Sequence, residues 1–421
     1  MNVMIVGAGI GGLATALMLH ARGLRPMIFE AAREVRPLGV GINVQPSAIA
    51  ELALLGLLDR LADTGIETAE LVYANRHGQR IWAEPRGRGA GYAVPQFSIH
   101  RGELQMLLYQ AVVERLGRGA LALGIEAVHA DPDTGRVRLR DRDTGTESVE
   151  QADAVIAADG IHSAIRRQFA PHEGLPRYSG RVLWRATSEG APFLGGRTMV
   201  QAGHADQKFV VYPISKRAHD AGRSLINWIA ELKLGGDTPP KDDWNREVDR
   251  AVFAAQFAQW RWPWLDVPAL IDSAEQVFEF PMVDRDPLPR WSHGRVTLLG
   301  DAAHPMYPIG SNGASQAILD ARMAADALAQ ARDAGGGEAA VVDALSRYDA
   351  QRRPATAALV MANRGQGPDQ VLQIAEERAP GGFDDIERVI PRRELEEIAA
   401  RYKRLAGMDV ETVNAKLRRE A

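Results

Sequence analysis

The sequence predicts an α/β protein in which a parallel-sheet domain is interleaved with an antiparallel sheet and followed by C-terminal helices. Three observations support this prediction. A glycine-rich strand–turn–helix–strand unit occupies residues 3–29. Two separated regions, about 70–100 and 176–280, contain short alternating segments that are typical of antiparallel strands. From about residue 366 onwards the chain is charged and has helical spacing.

The composition limits the possible classes of protein. A chain of 421 residues is too long for one ordinary core, so we expect two or three domains. Its apolar fraction of 46% and charged fraction of 25% are those of a globular protein. The net charge of −4 predicts neither a nucleic acid nor a membrane as partner. The absence of cysteine excludes disulfides, thiolate metal sites and a disulfide reductase activity, and we predict no metal site.

The N-terminal stretch does not resemble a secretory signal. It has no basic start, and glycines interrupt its apolar run. No uncharged apolar run of about 18 residues occurs elsewhere, so a membrane span is not predicted. We therefore expect a cytoplasmic protein.

The first unit is a βαβ arrangement with a phosphate-binding pattern. The apolar run 3–6 predicts a buried strand, GAGIGG follows at 7–12, and 13–22 has helical spacing. A second strand at 26–29 ends at Glu30. This order of elements predicts a dinucleotide site.

Each part of the motif has a physical role. Gly7 permits the tight turn, Gly9 lets the backbone approach a pyrophosphate, and Gly12 lets helix and strand pack closely. The helix N-terminus offers free N–H groups and partial positive charge to phosphates. Glu30 can accept hydrogen bonds from ribose hydroxyls. The motif alone leaves FAD and NAD open.

Two further segments carry motifs after buried strands. The run 154–158 precedes DGIHSAIR at 159–166, and the run 296–299 precedes GDAAHPMYPIGSNG at 300–313. The second connection is far longer than a turn requires, which indicates that it wraps around something. With GAGIGG, these three motifs stand in the order found in the single-component flavin-dependent aromatic hydroxylases, and the sequence resembles that family, which includes para-hydroxybenzoate and salicylate hydroxylases.

Other segments extend the resemblance over about residues 1–355. HRGEL at 100–104, and Tyr348 followed by RRP at 352–354, match further family features. PLGVGIN at 37–43 and PMVDRDPLP at 281–289 resemble the phenazine-1-carboxylate-derivative monooxygenase branch. One departure is GSNG at 310–313, where the wider family has Gly-Gly-Gln-Gly.

The resemblance implies a Rossmann-like FAD-binding domain of the para-hydroxybenzoate hydroxylase type, interleaved with an antiparallel-sheet substrate domain. The implied boundaries are 1–69, 101–175 and 281–365 for the FAD-binding domain, 70–100 and 176–280 for the substrate domain, and 366–421 for a C-terminal helical segment. We expect the last segment to serve packing or dimerisation, and leave monomer and homodimer open.

The resemblance also implies the FAD contacts. Asp301 would bond the ribityl chain, and a helix starting near Asn312 would direct its N-terminus at the flavin. Asp159 would lie near the pyrophosphate or a second cofactor, with helix capping as the alternative. His304 is interpreted as structural or flavin-side rather than as a base. The predicted cofactor residues are Gly7, Gly9, Ile10, Gly11, Gly12, Glu30, Ala31, Gly41, Arg101, Asp159, Asp301, Gly310, Asn312, Gly313 and Ala314.

The substrate pocket is expected on the sheet face towards the flavin. Its predicted residues are Val40, Trp184, Arg185, Val210, Tyr212, Tyr307 and Pro308. Arg185 could bind an anionic group such as a carboxylate as a bidentate pair. The alternative is a domain-interface arginine paired with an internal acid.

The implied activity is hydroxylation of a planar anionic aromatic or heteroaromatic substrate, with loss of a carboxylate left open. NADH or NADPH would reduce FAD, and a C4a-hydroperoxide formed with O₂ would supply the hydroxyl group. A single dinucleotide unit is visible, so the nicotinamide cofactor would bind transiently. The sequence identifies no catalytic base.

Three other functions are compatible with parts of the sequence. A flavin-dependent halogenase is suggested by the tryptophans of 260–264, although the expected Ile-Pro ending is missing. A non-catalytic protein that binds flavin or sequesters aromatics is a second alternative. An NAD-dependent dehydrogenase would leave the 300–313 segment without a purpose.

Overall fold

The computed structural model describes residues 1–236 and 246–420. The strands are β1 Asn2–Val6, β2 Arg25–Glu30, β3 Gly41–Val44, β4 Ile66–Glu67, β5 Glu70–Ala74, β6 Arg80–Pro85, β7 Phe97–His100, β8 Leu121–Leu123, β9 Ile125–Ala130, β10 Arg136–Asp141, β11 Glu147–Gln151, β12 Ala154–Ala157, β13 Arg177–Gly190, β14 Thr198–His204, β15 Gln207–Pro213, β16 Ser224–Lys233, β17 Arg246–Glu247, β18 Arg261–Trp262, β19 Leu265–Asp266, β20 Phe278–Asp284, β21 Ser292–His293 and β22 Val296–Leu298. The helices are α1 Ile10–Ala21, α2 Pro46–Leu54, α3 Leu58–Thr64, α4 Arg101–Leu116, α5 Ala164–Phe169, α6 Lys216–Asp220, α7 Val267–Asp272, α8 Gly313–Asp333, α9 Glu338–Arg364, α10 Gln370–Arg378, α11 Arg392–Leu405 and α12 Val410–Glu420.

The first sheet is built around the apolar strands that the sequence predicts. Its order is β21-β22-β12-β1-β2-β8, and its neighbours are parallel except for β21 with β22. Helix α1 packs against α4 and α8 beside this sheet. Strands buried on both faces tolerate only apolar side chains, which explains the runs at β1, β12 and β22.

The parallel register brings the three motifs to one edge. Val6 pairs with Ala157, and Ala157 pairs with Leu298, at the carboxyl ends of β1, β12 and β22. Each motif begins one or two residues later. Segments that are about 150 residues apart in sequence therefore meet where open α/β sheets bind ligands.

The second large sheet has the order β17-β20-β13-β16-β15-β14-β5-β6 among the described residues. It draws strands from both regions in which the sequence predicts antiparallel segments. Its neighbours are antiparallel except for β14 with β5, the pair that joins the two regions. This arrangement supports the proposed interleaving of domains.

The two faces of this sheet carry different cores. One face is covered by an aromatic cluster that includes Trp184, Trp228, Phe253 and Phe257. The other face packs against the 300–313 loop and helices α10 and α11. Since neighbouring side chains on a strand point to opposite faces, alternation decides which residues reach each core.

A small sheet of order β3-β7-β4 lies between the two large ones. Its Gly41 is bound to the large sheet: the Gly41 N–H donates to Asn227 Oδ1 at 2.7 Å. Side chains of Arg185 and Tyr212 both donate to the Gly41 carbonyl, at 3.0 and 2.8 Å. A Cβ at Gly41 would lie 2.6 Å from Asn227 Cβ, so only glycine permits this approach.

The C-terminal segment packs back onto the body of the protein. Leu372, Leu395 and Ile398 share a core with the sheet face that carries Tyr73 and Val210. None of the helices in ranges 1–236 and 246–420 is long and apolar enough to cross a membrane.

Candidate functional site

A cleft of about 330 Å³ lies between the motif edge of the parallel sheet and the large antiparallel sheet. The predicted cofactor residues that line it are Gly9, Ile10, Gly11, Gly41, Arg101, Asp301, Asn312, Gly313 and Ala314. The predicted pocket residues that line it are Arg185, Val210, Tyr212, Tyr307 and Pro308. The two sets of residues therefore share one continuous space.

The glycine turn leaves room on the cleft side and none on the sheet side. A Cβ at Gly9 would meet no atom within 4 Å, whereas a Cβ at Gly12 would lie 2.0 Å from the Gly7 carbonyl oxygen. Gly7 itself has φ of +100°, which favours glycine. Helix α1 begins at Ile10 without a side-chain cap. Its first N–H groups can therefore bind an anion in the cleft.

Glu30 and Ala31 lie beside the turn rather than among the cleft-lining residues of the described chain. The Glu30 carboxylate accepts from the N–H groups of Ala8 at 2.6 Å and Ala32 at 2.7 Å. A carboxylate has about four lone-pair positions, so Glu30 keeps acceptor capacity for a ribose. Ala31 borders a separate surface pocket with Arg33 and Arg142.

Arg101 begins α4 and extends an exposed side chain along the cleft. Its N–H donates to the Val40 carbonyl at 2.9 Å. The side chain of Val40 is buried beside the cleft. Among the described residues it does not line the cleft, so the structure does not support its predicted role in the substrate pocket.

Asp159 bonds the start of a helix, as the capping alternative predicts, and does not itself line the cleft among the described residues. Its Oδ2 accepts from the Ala164 N–H at 3.0 Å, at the start of α5. Its Oδ1 is buried without a hydrogen-bond partner in the described residues. Burial raises the pKa of the Asp159 carboxyl. The neighbouring Ala158 and Gly160 line the cleft, so the motif borders the cofactor space through its backbone.

Asp301 extends from the end of β22 into the cleft. The side chain is exposed to the cleft, and the protein around it raises the pKa of the carboxyl, while the charges of His304 and Arg101 oppose that rise. A Cβ at Gly313 would lie 3.9 Å from Asp301 Oδ1. Asp301 and the start of α8 therefore form one corner of the cleft.

A buried ion cluster holds the Asp301 loop in place. Asp320 on α8 accepts from His304 Nε2 at 2.5 Å, from Arg352 Nε at 2.6 Å and from the Gly300 N–H at 3.2 Å. Burial alone would raise the pKa of Asp320, but His304 and Arg352 outweigh it and lower this pKa to about 2. His304 is therefore structural, in agreement with its interpretation from the sequence.

Arg166 is a functional residue that the sequence analysis did not single out. This buried side chain donates to the carbonyls of Ala302 at 3.0 Å and Ala303 at 2.8 Å. It also bonds the Glu173 carboxylate and the Asp286 carbonyl. Arg166 thus ties the 159–166 motif to the Asp301 loop. The available signal was its position at the end of the 159–166 motif, which resembles a motif of the aromatic hydroxylases.

The loop before α8 depends on the C-terminal segment. Gly310 has φ of +69°, and a Cβ there would lie 2.1 Å from the hydroxyl oxygen of Tyr402 on α11. That hydroxyl donates to Asn363 Oδ1 at 2.8 Å and accepts from Asn312 Nδ2 at 2.9 Å. Because the Asn312 side chain is used in this way, no side chain caps α8, whose N–H groups face the cleft.

These features fit FAD. Two uncapped helix N-termini, a turn with open space at Gly9 and a carboxylate at Asp301 suit a pyrophosphate, a ribityl chain and the flavin edge. Gly9 to Gly11 would hold the phosphates, Asp301 the ribityl hydroxyls, and the start of α8 the ring.

The remaining part of the cleft is a chamber under the large sheet. Its middle is apolar and is formed by Leu183, Met199, Val210, Ile229 and Met282. At one end Arg185 and Tyr212 meet at the Gly41 carbonyl. The Nε atom of Arg185 is buried without a partner in the described chain, and burial lowers the Arg185 pKa from its usual range. An arginine remains charged near neutrality, so this end suits an anion.

Trp184 does not line the chamber. It occupies the opposite face of β13, where it stacks on Phe253 with ring centroids 4.8 Å apart. Its Nε1 donates to Glu279 at 3.0 Å. The prediction of Trp184 together with Arg185 was wrong because neighbouring strand residues point to opposite faces.

Two tyrosines, Tyr212 and Tyr307, line the chamber. Burial raises the pKa of Tyr212 to about 12, and burial with the charge of Asp284 raises the pKa of Tyr307 to about 12. Both hydroxyls are therefore protonated near neutral pH. Neither can serve as a resting base. The Tyr307 hydroxyl can donate to a substrate, whereas the O–H of Tyr212 is used on the Gly41 carbonyl and leaves its oxygen as an acceptor.

The far end of the chamber contains residues that the sequence analysis missed. These are Gln201, Lys208, Glu231 and Asp369. Lys208 could have been identified, since it alternates with Val210 and Tyr212 on β15. Asp369 lies in the C-terminal segment, where no local pattern indicates a pocket residue.

Comparisons with known proteins agree with this site. A family model described as "FAD binding domain" matches residues 1–363. The phenazine 1,6-dicarboxylic acid hydroxylase PhzS of Lysobacter antibioticus is 48% identical over 372 residues, which cover 86% of this chain and 89% of that protein. The 6-hydroxynicotinate 3-monooxygenase of Bordetella bronchiseptica is 31% identical over 337 residues, or 76% of this chain and 81% of that protein.

Solved structures show the same fold. A salicylate hydroxylase substrate complex has a TM-score of 0.74 at 23% identity and covers 99% of this chain and 98% of its own. Klebsiella pneumoniae HpxO complexed with FAD and uric acid has a TM-score of 0.70 at 24% identity, covering 99% of this chain and 95% of its own. At such identities the likeness establishes the architecture alone.

Proposed function

The chain belongs to the FAD binding domain family, as the match over residues 1–363 shows, and from this premise we propose that it is an FAD-dependent monooxygenase that hydroxylates a planar, anionic aromatic or heteroaromatic compound. The observation that carries the proposal is the continuity of the cleft. The residues that fit FAD and the chamber that fits an aromatic ring line the same space.

The FAD group would supply activation of molecular oxygen after reduction by a nicotinamide cofactor. The protein's contribution is to bind, orient and exclude water. The N-termini of α1 and α8 present N–H groups and partial positive charge to the cleft. The hydrogen bonds of Asp320 and Arg166 tie the Asp301 loop to α8 and to the 159–166 motif, which would help to position it for the cofactor.

The chamber would orient the substrate by charge and shape. Arg185 would bind an anionic group, and the Tyr307 hydroxyl would donate to an oxygen atom of a ring substituent. Tyr212, whose O–H donates to the Gly41 carbonyl, would help to hold that end of the chamber in place. The apolar side chains of Val210, Ile229 and Met282 would hold the ring and displace water. A dry site favours transfer of oxygen to the substrate over release of hydrogen peroxide.

The proposal includes the electron donor and whether a carboxylate is lost during hydroxylation. We infer that NADH or NADPH binds transiently, since one glycine-rich dinucleotide turn serves the described chain. Decarboxylation would accompany hydroxylation only if the attacked carbon carries the carboxylate. The names of the relatives, a phenazine dicarboxylic acid hydroxylase and a hydroxynicotinate monooxygenase, support a heteroaromatic carboxylate as substrate.

The experiment is a reduction and turnover assay on the purified flavoprotein. Anaerobic mixing with NADH or NADPH should bleach the flavin absorbance, faster in the presence of an accepted aromatic. Under isotopically labelled O₂, the accepted aromatic should yield a hydroxylated product that contains one labelled oxygen atom. A flavin that neither cofactor reduces with any member of an aromatic carboxylate panel would contradict the proposal.

The halogenase alternative loses its support from the tryptophan segment. Trp260 and Trp262 are buried in the aromatic cluster on the sheet face away from the cleft. The Nε1 atoms of Trp262 and Trp264 donate to the carbonyls of Arg76 and Gly78, at 3.0 and 3.2 Å. These tryptophans hold the β5–β6 hairpin. The non-catalytic alternative is decided by the turnover assay above.

A further inference from the structure

The end of the chamber opposite Arg185 carries a buried ionic cluster. The Lys208 ammonium donates to Asp369 Oδ2 at 2.9 Å and lies 3.0 Å from Glu231 Oε2. Lys208 is 7% exposed, Glu231 4% and Asp369 3%, and all three line the chamber. Burial opposes the charge of Lys208, but the two carboxylates outweigh it and raise the Lys208 pKa.

The cluster has hydrogen-bonding capacity that its own members do not use. Asp369 Oδ1 is buried with no hydrogen-bond partner in the described part of the chain. A buried carboxylate oxygen without a donor costs about 1–3 kcal/mol, so this acceptor favours a ligand with an O–H or N–H group. An ammonium has three donors, and the two carboxylates occupy two of those of Lys208.

The charges disfavour a second anion at this end. Two carboxylates surround one ammonium, and the nearby Arg181 lies 3.4 Å from Glu231 and restores balance. The two cations and two carboxylates sum to zero, so an added anion would find no net positive charge to offset the cost of its desolvation. A neutral group that both donates and accepts a hydrogen bond does not carry that cost.

The distance between the two polar ends suits a fused ring system. In the sheet, Arg185 pairs with Ile229, and Lys208 pairs with Glu231, two residues further along β16. Two strand spacings and two residues of rise place the α-carbons of Arg185 and Lys208 about 12 Å apart. The apolar middle of the chamber lies between them.

We propose that Lys208 and Asp369 form a second polar subsite, which binds a neutral ring hydroxyl or ring N–H of the substrate at the end opposite the anionic group on Arg185. The inference rests on the proposed function for the presence of an aromatic ligand. It adds that the substrate carries a polar group at each end, an anionic group at one end and a neutral hydrogen-bonding group at the other. The subsite would thereby determine which ring carbon faces the flavin.

The test measures binding to the oxidised, FAD-loaded protein, without turnover. The probes are 2-naphthoate and 6-hydroxy-2-naphthoate, titrated while the flavin absorption spectrum is followed. The wild type should bind the hydroxylated probe about tenfold more tightly, the value of one well-placed hydrogen bond of about 1.4 kcal/mol. In Asp369→Ala this preference should fall to within about twofold, while the affinity for 2-naphthoate changes little.

Asp369→Asn keeps the shape of the side chain and serves as the variant that preserves packing. It should retain part of the preference, because its amide oxygen still accepts. Glu377→Gln, on the exposed side of α10, is the matched control and should retain the full preference.

Two outcomes overturn the proposal. One is a wild type that binds the two probes equally or binds neither, and the other is an Asp369→Ala variant that loses affinity for both probes equally. Because no step of this test uses NADH or oxygen, it is independent of the turnover assay. A subsite confirmed by binding in a protein that hydroxylates nothing would contradict the proposed function alone.

Discussion

The hydroxyl oxygen of Tyr402 lies 2.9 Å from the side-chain nitrogen of Asn312. The first residue belongs to the C-terminal helix α11, and the second precedes α8 at the flavin side of the cleft. The same hydroxyl lies 3.1 Å from the carbonyl oxygen of Ile309. The C-terminal segment is therefore part of the support of the cofactor loop, in addition to the packing role that the sequence suggests.

Removing this hydroxyl should loosen the loop. Tyr402→Phe leaves Asn363 Oδ1 without the donor it has in the structure, which costs about 1–3 kcal/mol. We expect FAD to bind about tenfold more weakly, as measured by flavin fluorescence. Tyr92→Phe is the control, since the Tyr92 hydroxyl donates to the carbonyl of Met408 in the same segment and not to a residue of the 300–313 loop. Equal FAD affinity in the two variants would contradict the role of Tyr402.

The two glycines of the first turn should respond differently to alanine. Gly9 has φ of −71° and open space at its Cβ, so Gly9→Ala should change the unfolding free energy of the apo-protein by less than about 0.5 kcal/mol. The added methyl group would stand where the pyrophosphate approaches, and FAD affinity should fall by about tenfold or more. Chemical denaturation measures the unfolding free energy, and FAD titration measures the affinity.

Gly12→Ala provides the contrasting case. Its Cβ would lie 2.0 Å from the Gly7 carbonyl oxygen, so the helix must move away from the strand. Overpacking of this kind lowers the unfolding free energy by about 1–3 kcal/mol or more, and this loss should be measurable in the apo-protein. A Gly9→Ala protein that binds FAD like the wild type would show that the pyrophosphate lies elsewhere.

The Asp320 cluster should make stability depend on pH. The pKa of Asp320 is lowered to about 2, so its contribution is complete above the unfolded value of about 4 and is lost as pH falls towards 2. We expect Asp320→Asn to cost about 3–5 kcal/mol near pH 7, because His304 and Arg352 lose a buried partner. The difference between wild type and variant in urea unfolding should shrink between pH 4 and 2. A difference that does not depend on pH would count against a charged Asp320.

Arg185 should determine affinity for the anionic end of a ligand. Arg185→Met removes a charge-assisted hydrogen bond of about 1.5–3 kcal/mol, so 2-naphthoate should bind about 10- to 100-fold more weakly. The variant should lose much less affinity for the neutral 2-naphthamide. Arg223→Gln, an exposed arginine paired with exposed Glu189, is the control and should behave like the wild type. Similar losses for acid and amide would indicate that Arg185 acts through packing alone.

Much of the fold follows from local pattern. The four apolar strands predicted at 3–6, 26–29, 154–158 and 296–299, and the first helix, appear within a few residues of the predicted bounds. Burial on both faces requires continuous apolar runs, and a helix requires its own spacing. The glycine turn is equally local, since a φ of +100° at Gly7 is a property of the residue type.

The pocket was predicted less well, and the errors have physical reasons. Trp184 was chosen with Arg185 although alternation permits only one of the two on a given face. Lys208 was omitted although it shares a face with Tyr212, because a charged residue is not an obvious lining for an aromatic ring. A paired lysine is nevertheless stable there, since Glu231 and Asp369 compensate its charge.

By itself the sequence determined the order of elements, the three motif turns and the kind of cofactor they can hold, because backbone conformation and periodicity depend on residues close in the chain. The tertiary structure alone decided which distant side chains complete the site. Lys208 and Asp369 are 161 residues apart and Asn312 and Tyr402 are 90 apart. Contacts of that range depend on how layers pack, and no local pattern encodes the packing of one layer on another.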